Sequence, residues 1–433
     1  MLETIKNAFK MKEIRSKILW TLFFLLLYRI GCHIPVPGVG SGLFENIGEI
    51  SYLNIMSMMS GGSLANGTWF AMGIGPYINA SIIIQLLTVA IPALERAAKS
   101  GEEGQKKIAA FTRIGALILA VVQSIGILVS NQNLLSSGNY IVKLLGGQVW
   151  LAYILLVIIY ASGTLATIFL GERITEKGVS NGISLLIFVG ILSTAGTAFL
   201  AMINTAFFGG GDLTAFWKLV GYIAAIIIVF GCIVFVELAE RKVPVQYAKQ
   251  IRGRKQYGGQ TTFIPIKVNA NGVMPLIFAF SILSFPELLI TMFWSGTPFH
   301  LWWQSYMGTQ SWLYMVLLVL LIFAFAFFYS QIQFNPEDVS KTIQQNGGFI
   351  PGYRPGKPTA LYLKQIQTRI TLFGALFLAF VALVPAVVFK AIDQTSSAVF
   401  SATGMLICVS VALEFNNALE SQIMMKQYKG FLK

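Results

Sequence analysis

Gly73-Ile74-Gly75-Pro76-Tyr77-Ile78-Asn79-Ala80-Ser81-Ile82-Ile83-Ile84-Gln85 is the stretch whose reading decides the fold. It lies in an apolar run that continues to about Pro92, long enough to cross a membrane. It is not composed as a plain anchor. Gly73, Gly75 and Pro76 weaken a helix where lipid would leave freed backbone groups unpaired, so this backbone is expected against protein or a cavity. Ile74, Ile78 and Ile82 recur at i, i+4 and i+8 and share one face. Asn79, Ser81 and Gln85 bring amides and a hydroxyl to membrane depth. Upstream, Ile55-Met56-Ser57-Met58-Met59-Ser60-Gly61-Gly62-Ser63-Leu64 is apolar, small and glycine-broken, and too short to span. A short half-segment before an interrupted one marks a transport path. The plainer reading of the same isoleucines is a lipid-facing surface.

The rest of the chain sets the frame. Its 433 residues are 55% hydrophobic and 11% charged, where soluble domains carry roughly 25% charged residues. That composition is a polytopic membrane protein. The net charge of +13 is first a topology signal and only then a hint of acidic partners. Cys32, Cys232 and Cys408 are scattered in apolar context, and His33 and His300 stand far apart. Neither set offers a disulfide framework or metal-ligand spacing, so no cofactor or metal is expected. Residues 1–17 read as a basic amphipathic segment with no convincing cleavage site after it, so no cleavable signal peptide is expected.

Apolar runs of spanning length fall at about Ile18–Ile34, Phe70–Pro92, Ile108–Val129, Trp150–Leu170, Asn181–Ala201, Trp217–Phe235, Val273–Thr291, Trp312–Tyr329, Ile370–Phe389 and Val399–Phe415. The expected fold class is all-α and polytopic, with ten transmembrane helices and a short re-entrant segment. Of the 31 Lys and Arg, 27 fall in the N-terminal segment, in the even-to-odd loops and their immediate flank at Arg113, or in the tail. Only Arg29, Lys143, Lys218 and Lys390 fall elsewhere. This split puts both termini and the even-to-odd loops in the cytoplasm.

Two of those loops are long. Residues 237–269 read as a basic hairpin, with strand-like arms Val243–Tyr247 and Thr262–Ile266 around Arg252-Gly253-Arg254-Lys255. Residues 331–368 centre on Gly347-Gly348-Phe349-Ile350-Pro351-Gly352-Tyr353-Arg354-Pro355-Gly356. Long loops with their own turn chemistry suit docking of a large partner, while topology and anionic headgroups account for basic charge alone. Gly272-Val273-Met274-Pro275 in the seventh run echoes Gly73-Ile74-Gly75-Pro76 in the second. The two sets of five then have opposite orientation, with a pathway between them. The expected organisation is a cytoplasmic segment 1–17, a first half 18–204, a flexible link 205–213 containing Gly209-Gly210-Gly211-Asp212, a second half 214–415 and a cytoplasmic tail 416–433.

A secondary transporter for a small solute fits inverted halves and broken helices equally. Against it, coupled transporters need ionisable groups near the midplane, and Arg29, Glu237, Glu287 and Glu414 sit near run ends. No Ser/His pair or acidic cluster suggests an enzyme. No Gly-x-x-x-x-Gly-Lys-[Ser/Thr] loop is present, so any driving energy comes from outside the chain.

Gly67 to Leu87 resembles the helix 2 signature of the SecY family of protein-conducting channels, and Leu170 to Ser184 resembles its second signature. Ile34-Pro35-Val36-Pro37-Gly38, Phe334-Asn335-Pro336 and Pro351-Gly352-Tyr353-Arg354-Pro355-Gly356 also match family patterns, over essentially the whole chain and in order. The resemblance, closest to the bacterial form, implies a channel in the cytoplasmic membrane that passes unfolded polypeptides bearing signal sequences. It also implies release of transmembrane segments sideways into lipid, and no direct nucleic-acid substrate. It implies a pore ring of Ile74, Ile78, Ile183, Ile187, Ile277 and Ile407. The implied plug is residues 52–65, including Ile55, Met56, Met58, Met59, Gly61 and Gly62. The implied lateral gate includes Asn79, Gln85, Gln123 and Phe285, and the implied docking residues are Arg252, Arg254, Lys255 and Arg354. Implied partners are the small subunits SecE and SecG, the SecA ATPase motor, the ribosome and anionic phospholipids.

Overall fold

The computed structural model describes residues 6, 8–37, 39, 56–130, 140–144, 148–208, 213–247, 250–252, 255–257, 261–269, 272–294, 297–308, 311–392 and 402–431. Among the described residues each expected apolar run overlaps a helix: α1 (Lys12–Gly31), α2 (Gly75–Ala90), α4 (Glu102–Ser130), α6 (Val149–Lys177), α7 (Gly182–Phe208), α8 (Leu213–Glu237), α9 (Met274–Phe293), α11 (Trp312–Gln333), α13 (Lys357–Ile392) and α14 (Ala402–Phe431). Shorter helices are α3 (Pro92–Lys99), α5 (Tyr140–Leu144), α10 (Pro298–Met307) and α12 (Pro336–Gln345). Among the described residues, six helices are long and apolar enough to cross a membrane, and α2 with α3 makes a seventh if counted as one broken span. On these spans large apolar side chains such as Ile227, Ile228 and Phe235 are exposed, which is what a lipid solvent requires. The protein is a mostly helical membrane protein.

The second run differs from its expected form, and for a local reason. Residues 70–74 are turns, and Gly73 adopts φ +51, a conformation closed to most L side chains. Helix α2 starts at Gly75 with Pro76 in its first turn, where a missing N–H costs nothing. The glycine/proline motif is therefore a helix start, not a break within a span. At the far end, Ile91 is extended before Pro92. Proline disfavours the helical region for the residue before it, so α2 stops at Ala90 and α3 leaves at 107°. The seventh run behaves alike: Gly272 adopts φ +59 and α9 starts at Met274, with Pro275 second.

The chain divides into two compact units. One comprises Met1–Gly210, Ser281–Tyr314 and Val411–Lys433, and the other Gly211–Phe280 and Met315–Ser410. In the first, Leu64, Met72, Leu128, Leu156 and Tyr160 lie in one buried cluster. In a second cluster of this unit, Ile14 and Ile18 of α1 meet Leu419 and Ile423 of α14.

The second unit carries the expected basic hairpin. Strands β1 (Glu240–Tyr247) and β4 (Thr261–Lys267) pair antiparallel with Val243 opposite Ile264. Between them β2 (Gln250–Arg252) and β3 (Lys255–Tyr257) form their own ribbon. The other long loop joins the same sheet. Strand β5 (Gly348–Phe349) pairs with β1, Gln246 opposite Phe349, giving the order β4-β1-β5. Val243, Val245, Ile266, Ile343, Ile350, Leu363 and Ile366 form the core beneath it. The two long loops are thus one folded module. The link Gly209-Gly210-Gly211-Asp212 lies outside the described residues.

Candidate channel seal and docking module

The half-segment expected as the plug is seated in the first unit. Residues 56–59 make one helical turn and residues 60–74 continue as turns apart from Thr68, which bridges to Pro35, while Ile55 lies outside the described residues. Small polar side chains brace the turns from within: Ser60 Oγ donates to the Ser57 carbonyl at 3.1 Å, Ser63 Oγ to Ser60 O at 2.7 Å, and Thr68 Oγ1 to Ser63 O at 3.1 Å. Gly61 (φ +70) and Gly62 (φ +82) supply the left-handed backbone between them. Met56 and Leu64 are buried in the core cluster, with the Met56 methyl 3.3 Å from where a Cβ on Gly75 would stand. Met58 and Met59 are partly buried.

Two helices hold this segment through backbone oxygens. From α1, Arg29 Nη1 donates to Gly61 O at 3.3 Å, and its other terminal nitrogen donates to Ser193 Oγ of α7. Cys32 Sγ lies 3.7 Å from Ser60 O. From α7, Thr194 Oγ1 donates to Met58 O at 3.4 Å. Gly190 of α7 makes the closest approach: a Cβ there would stand 2.2 Å from the Met59 carbonyl oxygen. The turns that follow are fixed by α6, where Thr167 Oγ1 donates to Gly73 O at 3.1 Å. Trp69 Nε1 donates to Ser162 Oγ at 3.0 Å. Phe70 stacks on Tyr28 of α1 at 5.8 Å between ring centres.

The expected ring residues divide between the units. In the first, Ile74 and Ile187 are buried, and Ile78 and Ile183 are half-buried. In the second, Ile277 is half-buried and Ile407 buried. Of the expected gate residues, Asn79 on α2 and Gln123 on α4 are buried, and those helices pack through Ala80 and Ala116. Gln85 Nε2 donates to Ser81 Oγ one turn back at 3.3 Å, and Phe285 on α9 is half-buried.

The second-signature residues form the α6–α7 corner. Gly182 N donates to Thr175 Oγ1 at 2.8 Å, and a Cβ on Gly182 would stand 2.0 Å from Gly171 O. Only hydrogen fits there, which explains Gly182. Glu172 of the same stretch reaches across to Arg113 of α4 at 2.5 Å.

Of the residues expected to dock a partner, Arg252 and Lys255 are directly opposed in the β2–β3 ribbon, and Arg254 lies outside the described residues. Arg354 is exposed on a stiff turn. Gly352 (φ +87) and Gly356 (φ +96) shape the turn, Tyr353 stacks on Tyr362 at 4.0 Å, and Thr359 Oγ1 donates to the Arg354 carbonyl at 2.8 Å. Phe334-Asn335-Pro336 is a helix start: the Asn335 side chain accepts from Glu337 N, and Pro336 occupies the first turn of α12. No group of three or more His, Cys, Asp or Glu fit to hold a metal occurs among the described residues.

Sequence reasoning missed two things. It left Arg29 among the leftover cations, although an arginine inside an apolar run is itself a functional signal. It also treated the two long loops as separate, because the strand that joins them, Gly348–Phe349, is only two residues long.

A multi-spanning helical protein with a glycine-rich half-segment folded into its core and a basic two-loop module belongs to the class of membrane channels. The SecY family model matches residues 68–416. The chain belongs to the SecY family, the protein-conducting channel subunits of the Sec translocase. It is 39% identical to the protein translocase subunit SecY of Streptomyces coelicolor and 38% identical to that of Halalkalibacterium halodurans, over 100% of each chain. It is 40% identical to the SecY of Corynebacterium glutamicum, again over both whole chains. A solved protein conducting channel shares the fold at TM-score 0.65 and 20% identity, covering 94% of this chain and 92% of that one. So does Sec61 of the canine ribosome–channel complex from the endoplasmic reticulum, at TM-score 0.62 and 18% identity over 94% and 92%. In a further neighbour of TM-score 0.65 and 20% identity, the plug domain is described as stabilising the closed state and maintaining a membrane seal. Membership of this family sets aside the reading as a small-solute transporter.

Proposed function

We propose that this chain passes unfolded polypeptides across the bacterial cytoplasmic membrane and releases apolar segments sideways into lipid, with residues 52–65 as a removable seal. The observation that carries the seal is its mode of attachment. The segment is held by hydrogen bonds to its carbonyls and by close backbone packing on Gly190, with its methionines as soft apolar filler. Contacts of this kind are individually about 1 kcal/mol and are broken and remade without covalent change.

The six isoleucines are the constriction in this reading. Branched apolar side chains close around an extended chain, favour no particular substrate residue and exclude ions by dewetting. Asn79, Gln85, Gln123 and Phe285 line the side exit, where interhelical polar contacts worth about 0.6 kcal/mol let helices part. The halves 18–204 and 214–415 are inverted about the pathway and hinge at 205–213, with residues 1–17 and 416–433 cytoplasmic. The β1–β5 module, with Arg252, Arg254, Lys255 and Arg354, docks the SecA motor or a ribosome. SecE and SecG complete the complex, and anionic phospholipids face the basic loops. Deleting residues 52–65 from the reconstituted complex tests the seal: translocation continues and ion leakage rises. A folded deletion variant that no longer translocates makes the segment part of the conduit instead.

A further inference from the structure

Helix α10 is the feature that the channel reading leaves unused. It follows α9 and precedes α11, both apolar helices, and no Asp, Glu, Lys or Arg lies between Glu287 and Glu337. Thr297 caps it, its side chain accepting from His300 N, and Pro298 occupies the first turn, so its start is well defined. None of its residues is buried. Yet Phe299, Trp302, Trp303 and Tyr306 recur at i, i+3, i+4 and i+7 and share one face. Their rings form a ladder: Phe299 to Trp302 at 6.0 Å, Phe299 to Trp303 at 6.5 Å and Trp302 to Tyr306 at 5.5 Å. Trp294, just before the helix, adds a fifth ring 6.3 Å from Phe299. Trp302 and Tyr306 are 51% and 54% exposed. His300, Gln304 and Ser305 lie on the other side of the helix.

An uncharged aromatic face left about half exposed is costly in water. Indole and phenol rings find their best environment at the headgroup level of a bilayer, where an apolar body and a polar tip are both satisfied. We infer that α10 is a membrane-surface helix, lying in the bilayer plane with Phe299, Trp302, Trp303 and Tyr306 in the headgroup–acyl boundary. The occupant of its exposed face is lipid, because the helix links two apolar helices by short connections in a stretch without a single charged side chain, which keeps it beside the bilayer. Its other side carries Leu301 among the polar residues and no Lys or Arg, which separates it from cationic surface-seeking helices. Its grip is aromatic, so it does not depend on anionic headgroups. The helix then fixes the level at which the end of α9 meets the bilayer surface.

The test uses the full chain in phosphatidylcholine vesicles, with Cys32, Cys232 and Cys408 replaced by Ser. Gln304→Cys and Tyr306→Cys are compared for reaction with a membrane-impermeant maleimide. Both positions are exposed in the protein alone, so only lipid distinguishes them. The Tyr306→Cys variant is expected to react about tenfold more slowly in vesicles, and the difference is expected to vanish in denaturant. In parallel, a variant keeping Trp302 alone, the other tryptophans changed to Phe, is expected to be quenched by lipids brominated near the headgroup and spared by aqueous iodide. Equal labelling of the two cysteines, or iodide quenching of Trp302, overturns the inference. Protection of Trp302 from both quenchers also overturns it, because that outcome means another protein chain covers the face.

Discussion

Gly190→Ala is the smallest change that presses directly on the seal. A Cβ at this position would stand 2.2 Å from the Met59 carbonyl oxygen, 3.0 Å from the Met59 carbonyl carbon and 3.2 Å from Gly61 N. All three are backbone atoms, so no side chain can rotate away. Ordinary contact begins near 3.4 Å, which requires the plug backbone to retreat by about 1 Å. Overpacking of this kind costs about 1–3 kcal/mol. Against it stand single hydrogen bonds at 3.3 Å from Arg29 and 3.4 Å from Thr194. The occupancy of the displaced plug should rise about 5- to 150-fold. Gly196→Ala is the matched control on the same helix, because a Cβ there meets nothing within 4 Å. Both substitutions remove the same helix penalty of about 1 kcal/mol, so their difference isolates the contact. The assay is single-channel conductance of the reconstituted complex without substrate. Gly190→Ala should open intermittently and leak, and Gly196→Ala should stay shut. Equal, silent traces from two well-folded variants would refute the claim that Gly190 sets the plug's seat.

Two further outcomes follow from the other surfaces. Arg354→Glu reverses a charge held out on a stiff, glycine-bounded turn and should abolish driver-dependent translocation by a protein that still inserts and folds; unchanged transport at equal expression rejects the docking assignment. Asn79→Cys with Phe285→Cys, in a chain lacking Cys32, Cys232 and Cys408, should form a disulfide when the gate is shut, since bridging needs a Cα separation of about 4.4–6.8 Å. Oxidation should stop both secretion and membrane insertion and reduction should restore them, whereas insertion persisting in the fully crosslinked protein places the exit elsewhere.

The helices were legible because lipid imposes a long apolar run on each of them, and every expected run overlaps a helix among the described residues. The hairpin was legible from Val243–Tyr247 and Thr262–Ile266, whose strand-forming residues pair as expected. Where a helix begins was harder to read. Gly73 and Pro76 weaken a helix interior and suit a helix start equally well, and only the positive φ of Gly73 decides between them. The stop at Ala90 was readable from Pro92, but the 107° turn into α3 depends on packing. The plug's seat was least legible. It rests on Gly190, Arg29 and Thr194, which are far from it in the chain and carry no periodic signal. Pairing of β5 with β1 was hidden for the same reason: two residues of strand are too short to show a pattern.

The central claim is that polypeptide moves past the isoleucines read as the ring, and a stalled substrate tests it most directly. A photo-reactive residue placed at Ile78, Ile183 or Ile407 in the reconstituted complex is illuminated while a secretory polypeptide is arrested midway. Matched probes at Leu192 and Ile227, both exposed on apolar helices, report the lipid-facing surface. The account predicts adducts to the arrested chain from all three ring positions, dependent on the driver, and none from Leu192 or Ile227. Adducts from the lipid-facing positions with none from Ile78, Ile183 and Ile407 would contradict it.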